Sequence, residues 1–258
     1  MLRKERQKKI LELLQKEGSV KITELTEKFD VSVITIRRDF DEMVSAGLIK
    51  KVYGGAEPVE KPSVGQEIQR FFHTRLALNH KEKKMIGIAA AKLISEGETI
   101  VLNIGTTALE IAKNLRDFED LTVLTNSIPI LLELANTRLD VYSLGGKLRG
   151  NELALHGSLA FNSLDGFCVD KAFIGAGGIT LENGITDHNR DSAELHAAIA
   201  RRSRHTILVT DSSKFGRDAS AIISPLALVK TIVTDSGIPE VYVKEIRQMG
   251  IELIIVDV

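Results

Sequence analysis

Two groups of polar residues in this chain have types and spacings suited to non-covalent chemistry. The segment Ser32–Arg38 places hydroxyl and guanidinium groups among apolar residues, and such polar groups hydrogen-bond to the bases and phosphates of DNA. Short segments between residues 103 and 216 combine glycine with hydroxyl, amide and lysine side chains, a combination that suits a phosphorylated ligand. The sequence therefore indicates a DNA-binding region and a separate anion-binding region.

The first group is predicted to lie on a helix that begins after Ser32. Serine is a favoured N-cap residue, and Ile36, Phe40 and Met43 follow it at the spacing of one buried helix face. The other faces of this helix carry Thr35, Arg37 and Arg38. The pattern is typical of a DNA-recognition helix.

The neighbouring segments predict the other parts of a winged helix-turn-helix. A first helix runs from Lys4 to Lys16 and ends at Gly18, and a short second helix carries Leu25 and Phe29. The alternating residues 48–53 then predict the strands of a small wing. Because such a unit inserts its third helix into the major groove, we expect contacts to double-stranded operator DNA. The predicted DNA-binding residues are Ser32, Val33, Thr35, Arg37, Arg38, Lys50 and Tyr53.

The distribution of charge along the chain supports a DNA-binding region at the N-terminus. Residues 1–56 hold 12 basic and 9 acidic side chains, whereas the rest of the chain holds 22 and 26. A positive surplus favours contact with phosphates. Ion pairs one helical turn apart, Arg37 with Asp41 and Arg38 with Glu42, are the alternative role for the two arginines.

The composition also limits the remaining function classes. A single cysteine, Cys168, excludes an internal disulfide and suits a reducing cytoplasm. The charged residues from Arg3 onward leave no core for a signal peptide, and no apolar run reaches membrane-spanning length. No cluster of histidine and cysteine has the spacing of a metal site. We therefore predict a cytoplasmic protein without a membrane span, a metal or a cofactor.

The second part of the chain alternates between strand-like and helix-like segments. Short apolar runs rich in β-branched residues occupy 99–102, 121–124, 139–142, 171–174, 206–209, 231–234 and 253–256. Helical patterns lie between most of them, and a longer helix is predicted over 79–95. This alternation predicts an α/β fold with a mainly parallel sheet covered by helices.

Polar or glycine-rich segments follow five of these strands. Because the carboxyl ends of parallel strands meet at one edge, these segments are expected to lie together and to bind a ligand there. In the first of them, Asn103–Thr107, a glycine and two hydroxyls can approach a phosphate, although threonine is also a common N-cap. The others are Thr125–Ser127, Gly145–Gly146, Gly175–Gly178 and Asp211–Gly216.

Both regions resemble one family of bacterial regulators. The segment Ser32–Phe40, followed by Gly47 and by Tyr53–Ala56, is similar to the N-terminal signature of the DeoR family. The chain after residue 80 resembles the sensor domain of that family. The resemblance implies a sensor with a fold similar to ribose-5-phosphate isomerase and an effector that is a phosphorylated sugar or a related metabolite. It divides the chain into a winged helix-turn-helix domain (1–57), a linker (58–78) and an effector-sensing domain (79–258).

The resemblance also implies which residues bind the effector. They are Asn103, Gly105, Thr106, Thr107, Asn126, Gly145, Gly146, Lys171, Gly175, Glu194, Asp211 and Lys214. The two lysines would counter anionic oxygens, and Asp211 and Glu194 would accept hydroxyl groups. Three residues depart from the family pattern: Asn103 replaces an aspartate, Ser192 a glutamate and His196 a lysine. These departures concern which effector is bound.

Two function classes remain. In the first, a homo-oligomer, dimer or tetramer, regulates a carbohydrate catabolic operon, most simply as a repressor, and a sugar phosphate controls its DNA binding. In the second, the large domain is a sugar-phosphate isomerase or hydrolase with a DNA-binding appendage. An isomerase needs a positioned general base, for which Asp211 or Glu194 are candidates, but no catalytic constellation, nucleophile elbow or P-loop is present in the sequence. The sequence therefore favours the regulator, with no catalytic residues.

Overall fold

The chain forms two compact units in a computed structural model. The structure describes residues 1–58 and 72–258, and the two units are Met1–Val64 and Gly65–Val258. The predicted linker, 58–78, falls largely on residues 59–71, which lie outside the described residues. Of its remaining residues, Pro58 ends a strand and 72–77 are helical.

The N-terminal unit is a winged helix-turn-helix, which confirms that prediction. Its helices are α1 (Arg3–Glu17), α2 (Ile22–Phe29) and α3 (Val33–Ser45). Its strands are β1 (Val20–Lys21), β2 (Ile49–Val52) and β3 (Gly55–Pro58), arranged in the order β1-β3-β2 with antiparallel pairing. Gly18 ends α1 with a φ of 76°, a left-handed conformation that favours glycine.

The core of this unit lies where the three helices meet the small sheet. Its fully buried side chains include Ile10, Leu14, Leu25, Ile36, Phe40 and Met43. The helical spacing of Ile36, Phe40 and Met43 places all three on the inner face of α3, as the sequence predicted. The opposite face of α3 therefore remains at the surface.

The larger unit contains one seven-stranded parallel sheet, which confirms the predicted α/β architecture. The strands are β4 (Glu98–Leu102), β5 (Leu121–Thr125), β6 (Asp140–Ser143), β9 (Val169–Ile174), β12 (Ser203–Val209), β14 (Thr231–Asp235) and β15 (Glu252–Val256). Their order across the sheet is β15-β14-β12-β9-β4-β5-β6. Each corresponds to one of the seven predicted apolar runs.

Helices cover both faces of this sheet. They are α4 (His80–Ala91), α5 (Thr106–Ala112), α6 (Ile128–Leu134), α7 (Ser158–Ser163), α8 (Arg190–Arg202) and α9 (Glu240–Gln248). Val101 packs into one core cluster, with Leu195 of α8, while its neighbours Ile100 and Leu102 pack into the other, with Ile86 of α4. This alternation along β4 is the two-residue period of a strand that is buried on both sides.

Two small sheets were not predicted from the sequence. The hairpin of β7 (Lys147–Arg149) and β8 (Ala154–His156) follows β6. The strands β10 (Gly178–Thr180), β11 (Gly184–Asp187) and β13 (Ala221–Ser224) form the second. Within residues 1–58 and 72–258, no helix is long and apolar enough to cross a membrane.

Candidate functional site

The recognition helix α3 has the N-cap that the sequence predicts. The Ser32 hydroxyl accepts a hydrogen bond from the backbone N–H of Thr35 at 3.2 Å, and the two hydroxyl oxygens lie 2.9 Å apart. Val33 lies exposed in the first turn of the same helix. This cap fixes where α3 begins and so fixes which of its residues face solvent.

Arg37 and Arg38 lie on the exposed face of α3 without an ion-pair partner among the described residues. The acidic residues that were the alternative partners are engaged elsewhere. Asp41 pairs with Lys51 of the wing, and Glu42 accepts from Arg3 at 2.6 Å. Both guanidinium groups thus remain available for phosphates or base edges.

The wing presents the other predicted DNA contacts. Tyr53 is fully exposed in the turn between β2 and β3, and Lys50 is exposed on β2. Exposure at a wing tip and on the free face of α3 agrees with the predicted DNA-binding role of these residues, which stays a prediction.

A buried ion pair that the sequence analysis missed links α1 to α3. Asp39 is 1% exposed and accepts from Nε and Nη2 of Arg6 at 2.5 and 3.1 Å. Because Asp39 follows Arg38 directly, this pair anchors the buried side of the recognition helix to the first helix. The signal available in the sequence was an acidic residue at an inward-facing helix position.

In the larger unit, two buried amides stand at the carboxyl edge of the sheet. Asn103 follows β4; its Oδ1 accepts from the N–H of Ile104 at 2.7 Å, while Nδ2 has no partner within the described part of the chain. Asn126 follows β5; its Nδ2 donates to the carbonyl of Leu155 at 3.1 Å, while Oδ1 has none. Buried polar atoms without a partner are costly, so this edge is suited to a polar ligand.

The segment after β4 has the conformation that a ligand-approaching backbone requires. Gly105 has a φ of 139°, which only glycine adopts without strain, and Thr106 and Thr107 are buried beside it. A side chain at Gly175 would begin 3.8 Å from the carbonyl oxygen of Ile104, so the segments after β4 and β9 are adjacent. The structure thus brings together two of the five loops that the sequence predicts to bind the ligand.

Gly145 and Gly146 lie after β6, at the same edge. Gly146 has a φ of 123°, and a Cβ there would lie 2.3 Å from the carbonyl oxygen of His156. This close approach of two backbones is a structural reason for glycine at position 146. Gly145 has no such neighbour and stays a predicted ligand contact.

Among the charged residues predicted to bind the effector, Lys214 and Asp211 follow β12. Lys214 is half-buried and has no ion pair among the residues described. Asp211 is 2% exposed and already accepts hydrogen bonds from Asn79 Nδ2, at 2.8 Å, and from the N–H and hydroxyl of Ser213. Lys214 is therefore free to meet an anion, whereas the carboxylate of Asp211 is engaged within the protein.

Lys171 and Glu194 do not lie where the effector prediction needs them. Lys171 is the third residue of β9, and its Nζ donates to the carbonyl of Leu93 and to Glu98, both at 2.5 Å. These contacts hold it near the amino end of β4, away from the polar edge. Glu194 points outward from α8 and pairs with exposed Arg190 at 3.0 Å.

The buried face of α8 instead contributes to a polar cluster that the sequence analysis did not assign. We call it the histidine cluster; it consists of Glu152, His156, Asp187, Ser192 and His196. Ser192 donates to Glu152 at 2.9 Å, and His156 Nε2 lies 3.0 Å from the same carboxylate. His196 Nδ1 lies 3.5 Å from Asp187. The two residues that α8 contributes to this cluster, Ser192 and His196, are two of the three that depart from the family pattern.

Burial and charge act in opposite directions on the pKa values of this cluster. Burial raises the pKa of Glu152, but contacts with His156 and Ser192 outweigh it and leave that pKa below its ordinary value. Burial lowers the pKa of His196, and the carboxylate of Asp187 opposes this shift only in part. Glu152 is thus ionised and His196 neutral near neutral pH.

Acidification is therefore expected to destabilise the larger unit through His196. As pH falls through about 6.5, the ordinary histidine pKa, the unfolded chain binds a proton that the folded chain does not, so the free energy of unfolding decreases. This loss ends below the lowered pKa of the folded state. Thermal unfolding between pH 8 and 5.5 should show a weaker pH dependence in His196→Leu than in the native chain. Equal pH dependence would contradict the assignment, since Asp187, His156 and Glu152 are unchanged in the variant.

A cavity of about 610 Å³ lies between the segment that follows α5 and the carboxyl end of α6. Arg116 and Glu133, which line it, form an ion pair at 2.7 Å. It opens where these helices end, opposite to the polar edge where they begin. Its position therefore separates it from the predicted effector residues.

Comparison with known proteins covers both units. Residues 6–61 match the DeoR-like helix-turn-helix domain, and residues 78–236 match the DeoR C terminal sensor domain. The HTH-type transcriptional regulator YulB of Bacillus subtilis (strain 168) is 36% identical, over 98% of this chain and 96% of its own length. The Glycerol-3-phosphate regulon repressor of Escherichia coli (strain K12) is 32% identical over 93% of each chain.

Among solved structures, a ribose 5-phosphate isomerase from Methanocaldococcus jannaschii is similar to about half of this chain. The alignment covers 53% of this chain and 55% of the isomerase, with 17% identity and a TM-score of 0.41. A likeness at this level does not bear on function.

Proposed function

Because this chain belongs to the DeoR family of transcriptional regulators, we propose that it represses a carbohydrate catabolic operon and that a phosphorylated sugar or related metabolite controls its DNA binding. The DNA-binding half of this proposal rests on Arg37 and Arg38, which lie exposed on the capped recognition helix and have no ion-pair partner in the described part of the chain. A repressor acts where the DNA is, so we place it in the cytoplasm.

The polar edge of the sheet supports the effector half. Asn103 Nδ2 is a buried donor without a partner among the described residues, beside a glycine with positive φ and two threonines. Lys214 adds a positive charge that no carboxylate in the described region neutralises. Hydrogen-bond donors in the loop after β4 and a lysine in the segment after β12, at the same edge of the sheet, suit a phosphate group. A related repressor is named for a glycerol-3-phosphate regulon, which agrees with an effector of this class.

Control by an effector requires a difference in affinity. The effector must bind the DNA-free arrangement more tightly than the DNA-bound one, because equal affinity for both would shift nothing. We propose a homo-oligomer, dimer or tetramer, since one winged helix-turn-helix buries too little surface for tight specific binding and paired half-sites are usual.

Fluorescence anisotropy tests this function. DNA from upstream of the protein's own gene cluster is titrated with the full chain, with and without glycerol 3-phosphate, ribose 5-phosphate, glucose 6-phosphate and fructose 6-phosphate. Specific binding that one phosphate weakens supports the proposal. We propose that the chain is not an enzyme, and the same compounds incubated with pure protein test that point. Turnover without DNA binding would replace the repressor with the isomerase or hydrolase alternative.

Replacing Arg37 and Arg38 together with alanine is expected to weaken specific DNA binding at least about 30-fold. Contacts of this kind contribute about 1–3 kcal/mol each, and neither arginine has a partner in the described residues whose loss would unfold the helix. Anisotropy at fixed salt measures the affinity, and circular dichroism checks the fold. Arg116→Ala with Arg138→Ala is the matched control, because it removes the same charge from the other unit. Unchanged affinity in the first variant would contradict the assignment.

A further inference from the structure

An aliphatic residue that the sequence analysis did not assign, Ile34, occupies the centre of the exposed face of α3. Ile34 is 75% exposed, and the preceding Val33 is 41% exposed. Successive residues of a helix are turned by about 100°, so Ile34 lies about 180° around α3 from buried Met43 and about 160° from buried Ile36. Ile34 therefore points away from the core of the N-terminal unit.

The two arginines predicted to bind DNA flank this residue. Arg37 and Arg38 follow Ile34 by three and four positions, which makes them its neighbours on the same helix face. Single exposed aliphatic residues are common on protein surfaces, but the helix face opposite a core normally carries polar residues. The positive charge on both sides of Ile34 favours a polyanion as the partner that covers it, and DNA is the polyanion that this helix suits.

The hydroxyl groups in the first turn of α3 are engaged with each other. The hydroxyl oxygens of Ser32 and Thr35 lie 2.9 Å apart, and Ser32 Oγ also accepts from the backbone N–H of Thr35. The N-terminal residues of a recognition helix are the ones that contact base edges in the major groove. In this turn, the side chains that project farthest from the core are the aliphatic ones of Val33 and Ile34.

The major groove offers one apolar group for such a side chain. Base pairs present hydrogen-bond donors and acceptors there, together with the C5-methyl group of thymine. An aliphatic side chain has no donor or acceptor, so it gains most from contact with that methyl group. The contact removes apolar surface of both partners from water.

We propose that Ile34 is a specificity-determining residue that selects thymine in each half-site of the operator, by packing against the C5-methyl group in the major groove. This inference rests on the proposed DNA-binding function. It assigns the selection of thymine to the centre of the exposed face of α3, and it leaves contacts with guanine or phosphate to Arg37 and Arg38.

Replacing thymine with deoxyuridine tests this assignment, because deoxyuridine keeps the base pair with adenine and lacks only the methyl group. One thymine at a time is replaced in the operator, and anisotropy measures the affinity of the full chain at fixed salt. At least one replacement in each half-site should weaken binding about 4-fold, the effect of one buried methyl group. Ile34→Ala should bind the unmodified operator at least about 4-fold more weakly, and it should bind the thymine and deoxyuridine forms at that position equally.

A second variant separates recognition from a general effect on α3. Ile34→Ala should fold, because alanine is favoured in helices and Ile34 lies outside the core cluster. Val44→Ala is the matched control: it shortens a 40% exposed aliphatic side chain at the other end of the same helix and should keep the sensitivity to deoxyuridine.

Three results would overturn the selection of thymine by Ile34. If no deoxyuridine replacement weakens native binding, or if Ile34→Ala loses as much affinity on replacement as the native chain, Ile34 does not read the methyl group and the repressor function stands. If Ile34→Ala changes the oligomeric state in sedimentation, Ile34 contacts a second copy of the chain instead of DNA. If the native chain binds no operator, the DNA-binding function fails and this inference fails with it.

Discussion

Replacing Asp39 with alanine is expected to cost the N-terminal unit about 3–5 kcal/mol of its free energy of unfolding and to abolish DNA binding. The substitution leaves the Arg6 guanidinium, 7% exposed, buried without its carboxylate. Within residues 1–58 and 72–258, only the carbonyl of Met1, at 3.3 Å, would still accept from it. A unit of this size has roughly 3–9 kcal/mol in total, so the loss removes much or all of its stability. No predicted DNA contact is changed.

Urea unfolding followed by circular dichroism, together with operator anisotropy, measures both effects. The matched control is Arg6→Met with Asp39→Leu, which removes both charges and fills their space with apolar atoms. Replacing a whole buried ion pair in this way is often neutral or stabilising, so the double variant should fold and regain DNA binding. A double variant as unstable as Asp39→Ala would show that the packing at this position, and not the lone charge, decides stability.

Much of the large sheet was predictable because its strands are buried on both faces. Ile100 and Val101 point to opposite sides and both enter a core, so the run reads as continuously apolar. The strand β1 was not predictable, because its two residues, Val20 and Lys21, form a strand only through pairing with β3. The small sheets likewise depend on partners that are distant in sequence.

The sequence predicted the part of the candidate site that consists of loops at the carboxyl ends of parallel strands. Loops such as Asn103–Thr107 follow strands, and parallel strands bring their carboxyl ends together. Lys171 was misplaced because it precedes the end of β9 by three residues, and its side chain reaches the opposite edge. Ser192 meets Glu152 across 40 positions, a contact that no local pattern indicates. The one signal for that face of α8 in the sequence was that Ser192 and His196 both depart from the family pattern.

A Thr106→Asp substitution is expected to weaken binding of a phosphorylated effector at least 100-fold and to leave repression permanently on. Thr106 is 4% exposed at the first position of α5, close to Gly105 and Asn103, and Asn103 Nδ2 has no partner among the described residues. A carboxylate there would repel the phosphate at short range in a partly desolvated loop. Aspartate is well tolerated in the first turn of a helix, so the variant should still fold.

Thr106→Val is the matched control, because it keeps the shape of threonine and removes only the hydroxyl. The loss of one neutral hydrogen bond is worth about 0.5–1.5 kcal/mol, so this variant should bind the effector only about 2- to 13-fold more weakly. Titration of operator complexes with glycerol 3-phosphate and ribose 5-phosphate distinguishes the two variants, since both should bind operator as the native chain does. If a phosphate that releases the native protein also releases Thr106→Asp at the same concentration, the phosphate does not contact the loop after β4. Lys214 and the loop after β9, at the same edge of the sheet, would then be the candidates for its contacts.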